Sequence, residues 1–596
     1  MAAPDYFREF EHRRPPDLPP LGAARRAAWW LLSSLAIGLG GAYLGWRWTA
    51  SINPDALAFS VVVALAETLA FAGLALFVYD TWDEGDTPPA PPPGSRADLG
   101  LDGAGPVRVD IYIATYDEAL ETVAPSIADA HALRVPPGCT ATLHLLDDGN
   151  RPAMARLAKR TGIHYHARSG NRGFKAGNLR QALLRSDGDF VVICDADTRL
   201  FPSFLENTLG YFRDPSVSWV QTPHWFYDVP EGRPLAALLP KGRLRRLANR
   251  LLPRARVGRD PFLSAPMYFF DVIQRRRNRH GASFCCGAGS IHRVEAVAEA
   301  ALARRKARLE TLERASAHLG PRPPGTLRRM LELQPFRYHV SEDLLTSMEH
   351  HAAGWRSVYH PRVEARMLSP WSMDAWILQK LKYAGGTMDI LLREAPRLLP
   401  RMPLPVAAHY LATFWSYLSC LWLPVLLLAP ALSLLTGASP VRAYTVEFFL
   451  HLLPFLLVLE LAMLVGAKGQ DAHAGRVLQL ALLPVHLRAI GNVLRGRKPN
   501  FVPTPKVPGR SPAGRHVRPT VVILALYAAA ALWGLGAAWR GAPGYGSGFL
   551  VVNLFWLGWN AIAVARPLVA AFWRPPATRN NRQGTEDRHD RAPQTA

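Results

Sequence analysis

Cysteine is scarce in this chain, with only five residues in 596. They lie at Cys139, Cys194, Cys285, Cys286 and Cys420, too few and too scattered for a disulfide framework. No CxxC pair is present, so the sequence lacks the zinc motifs that are built on such pairs. Both absences fit a reducing, cytosolic environment.

The chain also lacks an internal repeat, a recognised nucleic-acid-binding module and a convincing cleavable signal peptide. Its formal net charge is +22, which on a soluble protein would suggest nucleic-acid binding. Much of the Lys and Arg flanks apolar runs instead, a pattern that retains those flanks in the cytoplasm. We therefore expect no nucleic-acid partner. The first apolar run follows Arg25 and Arg26, is long, and ends without a small-residue cleavage site.

Long apolar runs are present on both sides of an ordinary globular middle. Each approaches the ~20 apolar residues that cross a bilayer core. The runs extend from Ala27 to Gly45, from Ala56 to Tyr79, and over residues 409–436, 446–467, 519–539 and 548–571. The basic segment 468–518 is expected to be a cytoplasmic loop. Six spans would place both termini and the middle of the chain on the cytoplasmic side of the membrane.

These patterns predict a division of the chain into seven parts. The ends are expected to be polar tails, the first of them mobile and the last disordered. The expected parts are a polar tail at 1–26, two transmembrane helices at 27–80, a Pro-rich linker at 81–106, a cytosolic α/β domain at 107–365, interfacial amphipathic helices at 366–402, four transmembrane helices at 403–572 with a cytosolic loop at 497–510, and a polar tail at 573–596.

Acidic residues follow three strand-like runs of the α/β domain. The run from Val109 to Ala114 precedes Thr115-Tyr116-Asp117-Glu118, the run from Thr142 ends at Asp147, and the run from Phe190 ends at Asp195. Open α/β sheets bind ligands at the carboxyl ends of their strands. The sequence therefore predicts an acidic binding site at one edge of the sheet.

Asp195 and Asp197 are the candidate metal ligands. Mg²⁺ is typically held by one or two carboxylates together with substrate phosphates. An isolated Asp-x-Asp is more often a solvated turn. Here it follows the buried run Val191-Val192-Ile193-Cys194 and neighbours Asp147-Asp148, so a site for Mg²⁺, with Mn²⁺ as the alternative, is favoured.

Three further groups have both a structural and a functional interpretation. Ser341-Glu342-Asp343 precedes a helix-like stretch, so it can be an N-cap, while Asp343 can also act as a general base. Lys175 is either an exposed lysine before a helix or a phosphate contact. Gln379, Lys382 and Tyr383 either anchor an amphipathic helix at the membrane or supply a cation and a stacking ring to a substrate.

The order of the motifs resembles that of one family. The chain is similar to the catalytic subunit of bacterial cellulose synthase and to related membrane-embedded family 2 glycosyltransferases, over the region from Val109 to Lys506. The resemblance rests on the whole ordered set: Thr115-Tyr116-Asp117-Glu118, Asp147-Asp148-Gly149, Lys175-Ala176-Gly177-Asn178, Asp195-Ala196-Asp197, Gln221-Thr222-Pro223-His224, Phe284-Cys285-Cys286-Gly287, Ser341-Glu342-Asp343, Gln379-Lys380-Leu381-Lys382-Tyr383 and Phe501-Val502-Pro503-Thr504-Pro505-Lys506.

This resemblance implies a role for each matching residue. The domain would have the GT-A fold, with Asp343 as general base and Asp195 and Asp197 positioning the metal-bound diphosphate. The donor would be held by Thr115, Tyr116, Glu118, Asp147, Asp148 and Lys175, with Tyr116 and Lys175 at the uracil and the nearby phosphate. The acceptor would meet Cys286, while Gln379, Lys382 and Tyr383 would match the family's Gln-x-x-Arg-Trp motif and Phe501, Thr504 and Lys506 its gating loop.

The activity implied by the resemblance is processive, inverting transfer of glucose from UDP-glucose onto a β-1,4-glucan that crosses the membrane. Lys382 and Tyr383 replace the family's Arg and Trp, which leaves the acceptor or the linkage open. The alternatives are a synthase for another UDP-sugar or linkage (β-1,3, mixed-linkage or UDP-N-acetylglucosamine), a non-processive glycolipid transferase, and a non-catalytic partner in an export complex. A periplasmic accessory subunit is compatible with the family. A cyclic-di-GMP-binding PilZ module is expected to be absent.

Overall fold

The structure of the protein is a computed structural model. It describes residues 5–229, 232–240, 242–251, 256–257, 260–263, 267–319, 332–444, 446–497 and 514–573. The predicted gating-loop residues Phe501, Thr504 and Lys506 lie outside the described residues.

A seven-stranded sheet forms the centre of the α/β domain. Its order is β11-β6-β10-β4-β1-β2-β3, and β1, β2, β3 and β4 run parallel while β10 is antiparallel to both neighbours. The strands are β1 Val107–Thr115, β2 Cys139–Asp147, β3 His164–Ala167, β4 Phe190–Asp195, β6 Val217–Gln221, β10 Ser290–Arg293 and β11 Arg356–Tyr359. The short strands are β5 Arg199–Leu200, β7 His224–Phe226, β8 Arg233–Pro234, β9 Arg256–Val257 and β12 Ala365–Met367.

The central strands are apolar on both faces because helices cover both sides of the sheet. On one face Ile111, Ile113 and Val192 pack against Val123 and Ile127. On the other, a second cluster joins Tyr112 and Ile193 to Leu179. The helices of this domain are α3 Leu120–His131, α4 Pro152–Thr161, α5 Phe174–Leu183, α6 Phe204–Thr208, α7 Arg243–Leu251, α8 Arg275–Arg277, α9 Val294–Leu319 and α10 Glu342–Ala352.

Six helical segments of the described chain are long and apolar enough to cross a membrane. They are Ala23–Thr49, Pro54–Asp80, Leu404–Thr436, Val446–Gly466, Gly514–Trp539 and Ser547–Phe572. The helices that form them are α1 Ala23–Thr49, α2 Leu57–Asp80, α13 Leu404–Leu418, α14 Leu423–Thr436, α15 Val446–Gly466, α18 Gly514–Trp539, α19 Ser547–Val564 and α20 Arg566–Phe572. The predicted combination of an α/β domain with about six spans is thus confirmed.

An amphipathic helix links the domain to the later spans. It is α11 Met373–Arg393, followed by the short α12 Ala395–Leu398. Trp376 and Met388 on α11 are fully buried, while Tyr383 is 48% exposed. The helix therefore has one face against protein and another that borders open space.

The segment 468–518 is not simply a loop, as the sequence had suggested. It contains α16 Ala472–Ala481 and α17 Leu483–Leu494, which meet at an angle of 54°. Leu482 and Val485 pack against Trp376, and Leu483 and Ile490 against Met388. Neither helix is long enough to span a bilayer alone. The basic residues around them therefore indicated a loop.

The N-terminal tail is also packed rather than mobile over its described residues. Tyr6, Phe7 and Phe10 are buried with Tyr227 and Trp371. The hydroxyl of Tyr6 donates to a carboxylate oxygen of buried Asp228 over 2.8 Å. Three aromatic residues in five positions explain this docking, although the Pro and charge content of the tail masks them.

Buried ion pairs fix the domain to the membrane helices. Arg277 donates to both carboxylate oxygens of Asp80, at 2.8 and 2.6 Å, and His409 Nδ1 lies 2.7 Å from Asp80 Oδ1. Lys468 Nζ pairs with Glu84 at 2.7 Å and Asp271 at 2.9 Å. These contacts join α2, α13 and the chain after α15 to the segment that leads into Cys286.

Candidate active site

The turn after β1 and the turn after β2 lie side by side at the carboxyl edge of the sheet. Thr115 pairs with Asp147 in the parallel register. Glu118 accepts hydrogen bonds from Thr115 Oγ1 and from the Tyr116 backbone N–H, both at 2.8 Å. The Tyr116 side chain is 38% exposed at this edge. Glu118 thus shapes the turn that presents Tyr116.

Asp147 is fully buried and organises the second turn. It accepts from the Gly149 and Arg151 backbone N–H groups, from Arg151 Nε and from the Tyr165 hydroxyl, at 2.7–3.0 Å. These four donors hold the Asp147 carboxylate in place as part of the fold. The next residue, Asp148, is better placed to contact a ligand.

Asp148 is held by the guanidinium fork of Arg168. Nε and Nη2 of Arg168 donate to the two carboxylate oxygens, the second over 2.7 Å. Burial raises the pKa of Asp148, and Arg168 opposes that shift. A bidentate fork fixes the plane of the carboxylate. Sequence reasoning missed Arg168, because a single arginine after a short strand carries no recognisable signal.

Lys175 connects the end of β4 to the loop at Gly287. Its Nζ donates to Asp195 Oδ1 and to the Gly287 carbonyl oxygen, both at 2.5 Å. Burial would lower the pKa of Lys175, but the charges of Asp195, Glu342 and Asp343 raise it above its ordinary value. Lys175 is therefore a fixed positive charge among three carboxylates.

The Asp-x-Asp pair follows β4 in a tight turn. The Thr198 backbone N–H donates to the Asp195 carbonyl oxygen at 2.9 Å, and the Asp195 N–H donates to Thr198 Oγ1 at 3.0 Å. Asp197 is buried and accepts the Leu368 backbone N–H at 3.0 Å. The Asp195 side chain remains 49% exposed.

These two carboxylates fit a divalent cation that completes its coordination with phosphate oxygens. Among the described residues, no cluster of three or more His, Cys, Asp or Glu could hold a metal ion alone. Mg²⁺ and similar hard cations commonly take one or two protein carboxylates and substrate phosphates. The ammonium group of Lys175 lies at Asp195 Oδ1, so this carboxylate oxygen already attracts a cation.

Glu342 and Asp343 begin α10 directly opposite Lys175. Burial and the charge of Asp343 raise the pKa of Glu342 to about 8. Burial also raises the pKa of Asp343, against the stabilising effects of the Leu344 N–H and Lys175. The Leu344 N–H donates to Asp343 Oδ1 at 2.8 Å. Asp343 therefore lies in the first turn of a helix and also among acidic groups. The two interpretations of its motif are compatible.

The loop at Cys286 and Gly287 closes the space beside Asp343. A Cβ on Gly287 would lie 3.2 Å from Asp343 Oδ2, and Gly287 has a φ of +83°. Gln221 Oε1 accepts the Cys286 N–H at 2.8 Å, and His224 Nε2 lies 2.7 Å from the Ala288 carbonyl oxygen. Gln221 and His224 therefore fix this loop, a role that the sequence did not reveal although their motif was recognised.

Tyr383 reaches the same site from α11. Its ring is 48% exposed, yet burial is the main cause that raises the pKa of its phenol, followed by the charges of Asp343 and Asp195. The exposed part of the ring therefore lies in a deep cleft. Gln379 is four residues earlier on the same helical face, and Lys382 is the adjacent residue.

Tyr417 of α13 also borders this cleft, next to Tyr383. Its ring centroid lies 5.2 Å from that of His486 on α17. The sequence prediction placed Tyr417 inside a membrane span and gave it no role. The cleft is thus bordered by residues from the acidic edge of the sheet, from α11 and from the membrane helix α13.

Comparison with known proteins identifies the class. The family model described as Glycosyl transferase family 2 matches residues 110–299, and that described as Glycosyl transferase family group 2 matches residues 258–465. Together they cover the sheet, the cleft and the first later spans. Over residues 110–465 the chain is therefore similar to family 2 glycosyltransferases.

Curated relatives of the chain include catalytic subunits of cellulose synthase. It is 27% identical to the cellulose synthase 1 catalytic subunit (UDP-forming) of Komagataeibacter xylinus over 421 residues, which cover 69% of this chain and 48% of that protein. It is 27% identical to the cellulose synthase catalytic subunit (UDP-forming) of Pseudomonas fluorescens (strain SBW25) over 353 residues, 59% of this chain and 40% of that protein. The chain thus spans about half the length, or less, of these curated relatives. The resemblance drawn from the motifs is confirmed.

A solved structure also aligns along much of the chain. It is the mannosyltransferase PcManGT from Pyrobaculum calidifontis in complex with GDP-Man and Mn²⁺, with 14% sequence identity and a TM-score of 0.42. The alignment covers 78% of this chain and 100% of that protein. A likeness this distant carries no conclusion about donor or metal.

Proposed function

We propose that this protein is a processive, inverting glycosyltransferase that transfers glucose from UDP-glucose to a growing β-1,4-glucan and exports it through its membrane helices. The observation that carries the proposal is the convergence of Lys175, Asp195, Gly287 and Asp343 beside a cleft that Tyr417 of a membrane helix also borders. A donor held at the sheet edge would face an acceptor in that cleft. The relatives' UDP-forming activity supports the choice of donor.

Asp343 is the proposed general base. It would accept the proton of the acceptor hydroxyl as that oxygen attacks the anomeric carbon and the bond to UDP breaks, which inverts the configuration. Burial raises the pKa of Asp343 and so makes it a stronger base than an exposed aspartate. The Leu344 N–H and the charge of Lys175 stabilise the ionised form of Asp343, which is the form that can accept a proton.

The nucleotide would lie along the edge from Tyr116 to Asp195. Tyr116 offers an exposed ring for the base, Asp148 a carboxylate fixed by Arg168, and Lys175 a positive charge for the diphosphate. Asp195 and Asp197 would hold a divalent cation, Mg²⁺ or Mn²⁺, which neutralises charge that develops on the departing diphosphate. Lys175 would exchange its contact with Asp195 for one with phosphate.

The acceptor would lie between Cys286 and the aromatic rings of the cleft. Tyr383 presents a face on which a sugar ring can stack, and Tyr417 continues that surface toward the membrane. Lys382 in the family's Arg position retains the charge but not the planar fork that grips phosphate at two points. The gating-loop residues Phe501, Thr504 and Lys506 are proposed to close over the nucleotide.

We infer that the protein lies in a bacterial inner membrane with its catalytic domain in the cytoplasm. The basic segments next to the spans favour that orientation. An accessory subunit on the periplasmic side is compatible with the export of polymer.

Asp343→Asn tests the catalytic assignment. The variant should lose at least about 10³-fold in turnover, because removal of a positioned base costs this order of rate, while it still binds UDP. Turnover is measured as UDP release, and binding by calorimetry with UDP and Mg²⁺. Asp187→Asn serves as the matched control, since Asp187 is exposed on the loop before β4. Full activity of Asp343→Asn would rule out the proposed base.

A second candidate is a related synthase that makes another linkage or uses another UDP-sugar. It is favoured by Lys382 and Tyr383, which stand where the family has Arg and Trp and which border the acceptor. A glycolipid transferase would share the donor site but would yield a short, lipid-soluble product. Donor screening with analysis of product length separates the three.

A further inference from the structure

The segment of the catalytic domain between β8 and β9, residues 235–255, is rich in Lys and Arg and is called the basic excursion. The two strands pair antiparallel, with Arg233 opposite Val257 and Pro234 opposite Arg256, and so close the base of the excursion. Helix α7, Arg243–Leu251, lies between them. No Asp or Glu occurs between Glu231 and Asp260, whereas Lys or Arg occupies positions 233, 241, 243, 245, 246, 250, 254, 256 and 259.

Helix α7 exposes leucine as well as arginine. Leu244 and Leu247 are three residues apart and therefore share a face, and they are 69% and 52% exposed. Arg243, Arg245 and Arg246 lie around the remaining circumference. An exposed apolar face bordered only by cations is the pattern of a helix that lies in a membrane interface.

The chain after this excursion returns to the membrane end of the molecule. Phe262 packs on Trp376 of α11 and on Trp573, with ring centroids 6.2 and 5.6 Å apart. The Asp260 carbonyl oxygen accepts from Arg566 Nη2 of α20 at 2.9 Å. Since α20 ends the last candidate span, the excursion is anchored beside the bilayer surface.

We propose that α7 lies on the bilayer surface next to the catalytic domain and binds anionic lipid headgroups. Leu244 and Leu247 insert among the acyl chains, and the arginines pair with lipid phosphates. Charge complementarity selects this occupant, because the excursion offers no acidic group to a cationic partner and apolar contact alone would not require so many arginines. The proposal goes beyond the proposed function and holds for any sugar donor.

Hydrogen exchange of full-length protein in nanodiscs tests this proposal. Discs of phosphatidylcholine are compared with discs that also contain phosphatidylglycerol, and exchange is followed at the backbone amides of residues 243–251. Anionic lipid should slow exchange there by about tenfold or more, because each engaged arginine adds to surface attraction. Equal exchange in both discs would overturn the proposal, and this comparison needs no variant.

Two variants identify the groups responsible. Arg243→Gln/Arg245→Gln/Arg246→Gln should remove the dependence on phosphatidylglycerol, and Leu244→Ser/Leu247→Ser should remove protection in both discs. Matched controls are Arg305→Gln/Lys306→Gln and Leu302→Ser, at exposed positions of α9. Exchange in β4 reports whether each variant is folded.

Two results would contradict the lipid assignment. Protection that persists in Leu244→Ser/Leu247→Ser, with β4 still slow, would mean that protein covers the leucine face. Protection that appears only when an acidic protein or soluble polymer is added would assign the helix to that partner instead.

Discussion

At the scale of single residues, the site depends on one cation among carboxylates. Lys175 bridges Asp195 and the Gly287 carbonyl oxygen, and its charge opposes the effect of burial on Glu342 and Asp343. The pKa of each of these two acids thereby depends on a side chain from another element. The sequence indicated the acids, but the bridge depends on contacts between α5 and a loop more than 100 residues away.

Gly287→Ala should reduce turnover by about tenfold or more. The new Cβ would lie 3.2 Å from Asp343 Oδ2, and the left-handed backbone adds about 1–2 kcal/mol of strain. Gly162→Ala is the control, because Gly162 has a similar φ of +70° with open space around its Cβ position. Steady-state turnover is measured for both. Equal loss in the two variants would show that strain alone, not displacement of Asp343, is responsible.

Glu342 should produce an alkaline limb in the pH profile. Its pKa is raised to about 8 by burial and by Asp343, so it is mainly neutral at pH 7 and gains a negative charge above pH 8. That charge repels the diphosphate, and the KM for the UDP-sugar should rise as the pH increases through 8. Glu342→Gln should abolish this rise and retain the acidic limb, which reports ionisation of Asp343. A rise of the same size in Glu342→Gln would exclude Glu342 as its source.

At the scale of elements, buried ion pairs hold the cleft against the membrane helices. Asp80 at the end of α2 receives Arg277 and His409, and the chain from Arg277 leads within ten residues to Gly287. Movement of α2 would therefore be transmitted to the loop beside Asp343. The packed N-terminal residues add a similar constraint through Tyr6, Asp228 and Trp371.

Asp80→Asn should destabilise the protein by about 3–5 kcal/mol, because it leaves the charge of Arg277 buried without its partner. The side chains of Asp80 and Arg277 are 4% and 3% exposed. Glu206→Gln breaks the exposed pair with Arg134 and should leave the stability almost unchanged, because solvent screens this pair. Thermal unfolding in nanodiscs, followed by tryptophan fluorescence, compares the two. Equal stability of both variants would mean that the Asp80 pair is not needed to hold the domain in place.

The sequence predicted those elements whose signal is local. Strands β1, β2 and β4 end where their apolar runs meet Thr115, Asp147 and Asp195, because an apolar run and a following acid mark a buried strand end. The helices α7, α16 and α17 were not predicted, since short amphipathic runs resemble charged loops. The docking of Tyr6 was missed because it depends on Asp228 and Trp371, which are distant in sequence.

At the scale of the whole molecule, the acidic sheet edge and the membrane helix α13 border the same cleft. Tyr383 of α11 and Tyr417 of α13 lie at the point where the two meet. A transferase that released a soluble product would have no need of this arrangement. The geometry suits an enzyme whose product leaves through the membrane as it grows.

The measurement that tests this account most directly is product analysis with purified protein in nanodiscs and Mg²⁺. Radiolabelled UDP-glucose and UDP-N-acetylglucosamine are supplied separately, and insoluble product is digested with linkage-specific glucanases. Insoluble polymer from UDP-glucose, released by a β-1,4-glucanase and absent with Asp343→Asn, is the predicted result. Label found only in a lipid extract, with no polymer from either donor, would contradict processive synthesis and export.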